Sequence, residues 1–85
     1  AKNEIDIAAL DPEGKNLILG ECKYWKEPVG LNVLHALEAK ACDVAWERDR
    51  RKVWYVLFSI SGFSDELRNH AATRDDLLLI DDRGR

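Results

Sequence analysis

Two short apolar runs flank a stretch of turn residues near the start of the chain, and acids interrupt both runs. Residues 4–10 (EIDIAAL) alternate Ile5, Ile7 and Ala9 with other residues, the two-residue period of a half-buried strand. DPEGK at 11–15 is turn chemistry: Pro12 presets its own backbone angle, and Gly14 tolerates the left-handed region. NLILGEC at 16–22 then reads as a second strand, so the segment predicts a β-hairpin.

The hairpin register decides which side chains meet. If Asp11 pairs with Asn16, Asp6 falls opposite Glu21 and Glu4 opposite Lys23. Opposed residues place their Cβ atoms roughly 4.5–5.5 Å apart. A three-residue loop with a bulge at Gly14 pairs Asp11 with Lys15 instead and sends the carboxylates to different faces. Two carboxylates held close together raise one another's proton affinity. A hard cation such as Mg²⁺ relieves that repulsion, because it prefers carboxylate oxygens and water. A neighbouring lysine then stabilises charge on a phosphate oxygen. The bland alternative is a solvated sheet face with cross-strand ion pairs. Against it, Asp6, Glu21 and Lys23 interrupt apolar strands, where charge is costly unless it is paired or used.

KYWKEPVG at 23–30 leaves the sheet, punctuated by Pro28 and Gly30. Residues 31–47 have helical spacing, with Leu34, Leu37, Ala41 and Val44 on one face and Glu38, Cys42 and Trp46 toward the other. ERDRRK at 47–52 is a polar connection. VWYVLFSI at 53–60 has the dense β-branched and aromatic pattern of a strand covered on both faces. Ser64 is a good N-cap for a short helix ending near Ala72, with Asp65 and Glu66 in its first turn. LLLI at 77–80 forms a last strand. The order predicts an α/β fold: a mixed sheet of about four strands that begins with a β-hairpin and is flanked by helices.

With 85 residues the chain has room for one domain, spanning 1–85. The net charge of −3 does not favour strong nucleic-acid affinity. Cys22 and Cys42 form no CxxC pair, which argues against zinc and a disulfide framework and fits a reducing cytosol. No run approaches the length of a membrane span. The opening Ala1-Lys2-Asn3 runs straight into a strand pattern, so a longer parent chain is expected.

Taken in order, EID at 4–6, GECKYWKEPVG at 20–30, a helix carrying Lys40, and VLFSISGF at 56–63 resemble the nuclease-like domain at the C-terminus of archaeal-type ATPases. That domain belongs to the PD-(D/E)XK superfamily, with restriction endonucleases and archaeal Holliday-junction resolvases. The resemblance covers essentially the whole chain. The D…E-x-K core alone is a weak pattern, and the ordered series is more specific. The resemblance implies a restriction-endonuclease-like core lacking its first helix. It implies Asp6 and Glu21 as metal-binding acids, the Cys22 backbone carbonyl as an extra ligand, and Lys23 as the catalytic lysine. Glu4 and Lys40 are accessory candidates. The implied activity is Mg²⁺- or Mn²⁺-dependent hydrolysis of DNA, a metal-activated water attacking the phosphodiester in line and leaving a 5′-phosphate. The implied partners are DNA and an upstream ATPase domain of the same chain, with homodimerisation as an option and no membrane. The implied compartment is the cytoplasm. This chain contains no GxxxxGK[ST] phosphate-binding loop, so an ATPase domain would lie outside it. The competing reading is a non-catalytic DNA-docking, regulatory or dimerisation module of an ATP-binding protein.

The remaining residues carry weaker signals. Lys40 lies at the edge of the helix's apolar face, where it either reaches the carboxylates or simply snorkels to solvent. Glu38 is expected to be solvated. Tyr24 and Trp25, interleaved with Lys23 and Lys26, could stack bases, but aromatics just after a strand more often close over a core. Arg48, Arg50, Arg51 and Lys52 read as a solvated turn. His35 and His70 have no partner at metal-ligand spacing and read as surface or interface residues. Ser59, Ser61 and Ser64 fit strand-end hydrogen bonding and capping. Trp46, Trp54 and Phe63 fit packing.

Overall fold

A computed structural model describes residues 6–44 and 52–82. Its elements are β1 (Ile7–Leu10), β2 (Asn16–Lys23), α1 (Leu31–Val44), β3 (Lys52–Ser59), α2 (Asp65–Ala71) and β4 (Leu77–Asp81). The sheet has four strands in the order β1-β2-β3-β4. β1 runs antiparallel to β2, and β2, β3 and β4 are parallel, so the sheet is mixed and the fold is α/β.

The hairpin takes the first of the two registers. Ile7 faces Gly20 and Leu10 faces Leu17, and Asp11 N–H donates to the Asn16 carbonyl at 3.1 Å. The turn is fixed by its own side chains. The Asp11 carboxylate accepts from the Lys15 N–H at 2.8 Å and from the Asn16 amide at 2.9 Å. These bonds to its charged form, the Asn16 amide foremost, hold the Asp11 carboxyl below its ordinary pKa. Gly14 adopts φ +73°, which a residue without Cβ does at little cost.

Both crossovers, through α1 and through α2, advance the same way across the sheet. Crossovers of one hand that advance in one direction lay their helices on one face. The core agrees: Leu17, Leu19, Leu57 and Leu77 of the sheet pack with Val33, Leu34, Leu37 and Ala41 of α1 and Leu67 of α2. Ser64 caps α2, its hydroxyl accepting from the Leu67 N–H at 3.1 Å. The helices thus lie to one side, and the reading of β3 as a strand covered on both faces needs correction. Its other face carries Trp54, Val56 and Phe58, in register with Ile18, Gly20 and Cys22 of β2. No described helix covers them, and Ile18 and Leu78 there are exposed.

One further expectation changes. Glu38 is not simply solvated: its carboxylate accepts from Arg74 at 2.9 Å, and Arg74 also grips Asp76 at 2.8 Å. His70 is half-buried, with Nε2 lying 3.2 Å from the same guanidinium. Glu4, Trp46, Arg48, Arg50 and Arg51 lie outside the described residues, and so does the predicted helical segment 45–47.

Candidate functional site

Leu17, Leu19, Glu21 and Lys23 share the β2 face that packs toward α1, because strand side chains alternate. Leu17 and Leu19 are core residues, and Glu21 continues their row with only 8% of its surface exposed. A carboxylate taken that far out of water needs charged partners. It has two. Lys23 Nζ lies 3.1 Å from Oε2, and Lys40 Nζ, arriving from α1, lies 3.3 Å from Oε1. Lys40 therefore reaches the acid. Leu37 and Ala41 are buried on either side of Lys40 along the helix, which carries the root of the lysine against the sheet.

Asp6 stands at the bend just before β1. Its Oδ2 accepts the peptide N–H of Cys22 at 2.8 Å. The ladder explains this bond. Even-numbered β2 residues turn their peptide groups toward β1, as Asn16 does toward Asp11. Odd-numbered ones turn toward β3, as the Lys23 carbonyl does toward the Ile60 N–H. β1 begins at Ile7, opposite Gly20, so the next β2 donor on that edge is Cys22, and the Asp6 side chain takes it. The same alternation turns the Cys22 carbonyl toward that edge.

The two acids sit on either side of Cys22. Burial pushes the Cys22 thiol pKa up, and the negative charges of Asp6 and Glu21 push it further. The site thus gathers Asp6, the Cys22 peptide group, Glu21, Lys23 and Lys40 around one end of β2. All the candidate ligand atoms are hard oxygens, the kind Mg²⁺ and Mn²⁺ take. Among the described residues, no three His, Cys, Asp or Glu side chains converge at ion-holding distance. The expected ligand set is smaller: two carboxylates and one peptide carbonyl.

Sequence reading missed one neighbour of this site. Lys23, Ser59 and Asp81 stand side by side across β2, β3 and β4. Ser59 and Asp81 are both buried, and Arg68 approaches Asp81 at 3.9 Å. The signal was present. Asp81 keeps phase with Leu77 and Leu79, as Glu21 does with Leu17 and Leu19. Tyr24 and Trp25 also depart from expectation: they do not close over the core, but remain 76% and 41% exposed.

The fold and the site define a small α/β domain with a buried carboxylate and two lysines at one end of its parallel strands. Comparison with family models, curated proteins and solved structures returns no match for this chain. No helix among the described residues is long and apolar enough to cross a membrane.

Proposed function

We propose that the chain is a nuclease-like domain of PD-(D/E)XK type that hydrolyses DNA phosphodiesters with Mg²⁺ or Mn²⁺, in the cytoplasm and alongside an ATPase domain. One observation carries this reading: buried Glu21 holds Lys23 and Lys40, while Asp6 occupies the neighbouring edge of the same strand through the Cys22 peptide. A structural ion pair needs one partner. Here two ammonium groups meet one buried carboxylate, and a second acid, from the bend before β1, accepts the peptide N–H of the next residue, Cys22.

Asp6, Glu21 and the Cys22 carbonyl would hold the ion, which would supply an acidified water and offset phosphate charge. Each lysine ammonium has three N–H groups, and Glu21 engages one side of each. Lys23, whose side chain is 27% exposed, can turn N–H groups toward the non-bridging oxygens of a phosphate and hold its phosphorus in place. Burial of Glu21 beside Leu19 and Leu57 strengthens these charge interactions by keeping bulk water away.

Titration calorimetry with Mn²⁺ on the intact protein tests the ion site. Binding is expected for the wild type and should vanish in Asp6→Asn and in Glu21→Gln. A folded wild type that takes up no Mn²⁺ would overturn the reading. A non-catalytic docking module is the second reading. The completeness with which the two lysines neutralise Glu21 favours it, and it predicts DNA binding without strand cleavage at any Mn²⁺ concentration.

A further inference from the structure

We infer that Lys23 is a displaceable counter-ion. It neutralises Glu21 until a divalent cation takes its place, and it then turns to a substrate phosphate, so that cation and phosphodiester bind cooperatively. This regulation belongs to the proposed site and rests on that reading for the identity of both ligands.

Both oxygens of Glu21 carry an ammonium. Lys40 Nζ lies 3.3 Å from Oε1, and Lys23 Nζ lies 3.1 Å from Oε2. The residue is only 8% exposed. A divalent cation that binds this carboxylate therefore comes close to an ammonium, and like charges repel strongly where water is scarce. One of the two lysines has to give way.

They are not equally free to do so. Lys40 rises from the middle of α1 between buried Leu37 and Ala41, and it has a further partner besides Glu21. Lys23 is the last residue of β2, and its side chain is the more exposed of the two, 27% against 18%. Its Nζ also lies 5.0 Å from the centre of the Trp25 ring. The aromatic face offers the ammonium an electrostatic partner as it leaves the carboxylate. Trp25 is held for this role, because the Ser61 hydroxyl donates to its carbonyl at 2.6 Å. Glu21, Lys23, Trp25 and Lys40 line one cavity of about 160 Å³, closed on its far side by Asn32 and Val33 of α1. The displaced ammonium thus stays in the space that a phosphate would enter.

Displacement costs Lys23 a hydrogen bond to a charged group, worth about tenfold or more in an equilibrium constant. A cation that binds alone bears that loss. With a phosphodiester present, Lys23 exchanges one oxyanion for another and the loss is recovered. The recovered factor is the coupling, and it acts equally on both ligands.

The test reads binding rather than cleavage. The whole chain is titrated with Mn²⁺ in a calorimeter, with and without dimethyl phosphate, a phosphodiester that carries no base. The wild type should bind Mn²⁺ at least about tenfold more tightly with dimethyl phosphate present. Dimethyl phosphate should gain by the same factor in Mn²⁺. Lys23→Met keeps the aliphatic stem and lacks the ammonium. It should bind Mn²⁺ alone about tenfold more tightly than the wild type, and its coupling should fall below about twofold. Lys40→Met should raise Mn²⁺ affinity but keep the coupling. Equal Mn²⁺ affinity with and without dimethyl phosphate in the wild type would overturn the counter-ion role and leave the ion site standing. Coupling that survives in a folded Lys23→Met variant would do the same. The wild-type comparison decides the matter even if Lys23→Met fails to fold. A wild type that takes up no Mn²⁺ under either condition would remove the ion site and the counter-ion role together.

Discussion

Lys40 Nζ lies 3.3 Å from Glu21 Oε1, a contact that ties α1 to β2 across 19 positions of sequence. Both side chains are largely buried, at 18% and 10% exposure. Lys40→Met keeps the aliphatic stem and removes the charge. It should destabilise the fold by about 1–2 kcal/mol, since Glu21 retains Lys23. Urea unfolding of Lys40→Met, Glu21→Gln and the double variant measures the coupling. A coupling below about 0.5 kcal/mol would mean that the two groups do not interact in solution. If the site holds Mn²⁺, Lys40→Met should also tighten its binding, because a competing cation has gone.

Leu19 and Ile18 are adjacent on β2 and point to opposite faces. Leu19 is fully buried, whereas Ile18 is 40% exposed on the face that no described helix covers. Leu19→Ala should cost about 2–5 kcal/mol through lost burial and the cavity left behind. Ile18→Lys should cost less than about 1 kcal/mol. Thermal and urea unfolding compare the two. A large loss at Ile18 would show that something packs on the outer face.

Asp11 sets the hairpin register through its bonds to Lys15 and Asn16. Asp11→Ala removes both acceptors from a tight turn and should weaken the hairpin. Hydrogen exchange reads this directly. The β1 and upper β2 amides should lose protection first, with β3 and β4 little changed. Uniform loss across the sheet would argue that the hairpin is not an independent cooperative unit.

Arg74 binds Asp76 and Glu38 together and so joins the start of β4 to α1. The hydrogen bonds from Arg74 are the chief cause of an Asp76 carboxyl pKa below its ordinary 3.8. A depressed carboxylate pKa adds stability above the unfolded value, and that stability is lost as pH falls through the folded value. Unfolding free energy should therefore drop as pH is lowered from about 5 toward 2. Asp76→Asn should flatten part of that acid limb. An unchanged acid limb in Asp76→Asn would show that the ion pair contributes nothing to pH dependence.

The sequence by itself determined the order of elements and the hairpin. Periods of two and of 3.6 are local properties of a strand and a helix, so Leu17, Leu19, Leu34, Leu37 and Ala41 could be placed without coordinates. Turn chemistry at 11–15 left only two registers to choose between. The tertiary structure decided between them, and with that choice Asp6 took the Cys22 peptide. It also decided that Lys40 reaches Glu21 and that Asp81 lines up with Lys23. These pairings depend on how parallel strands align across crossovers that local periodicity does not encode. The exposure of Trp25 was equally illegible, because an aromatic after a strand has the same local sequence whether it closes a core or stands beside it. Val29, Val33 and Phe63 fill the core, and the Trp25 ring stays 41% exposed.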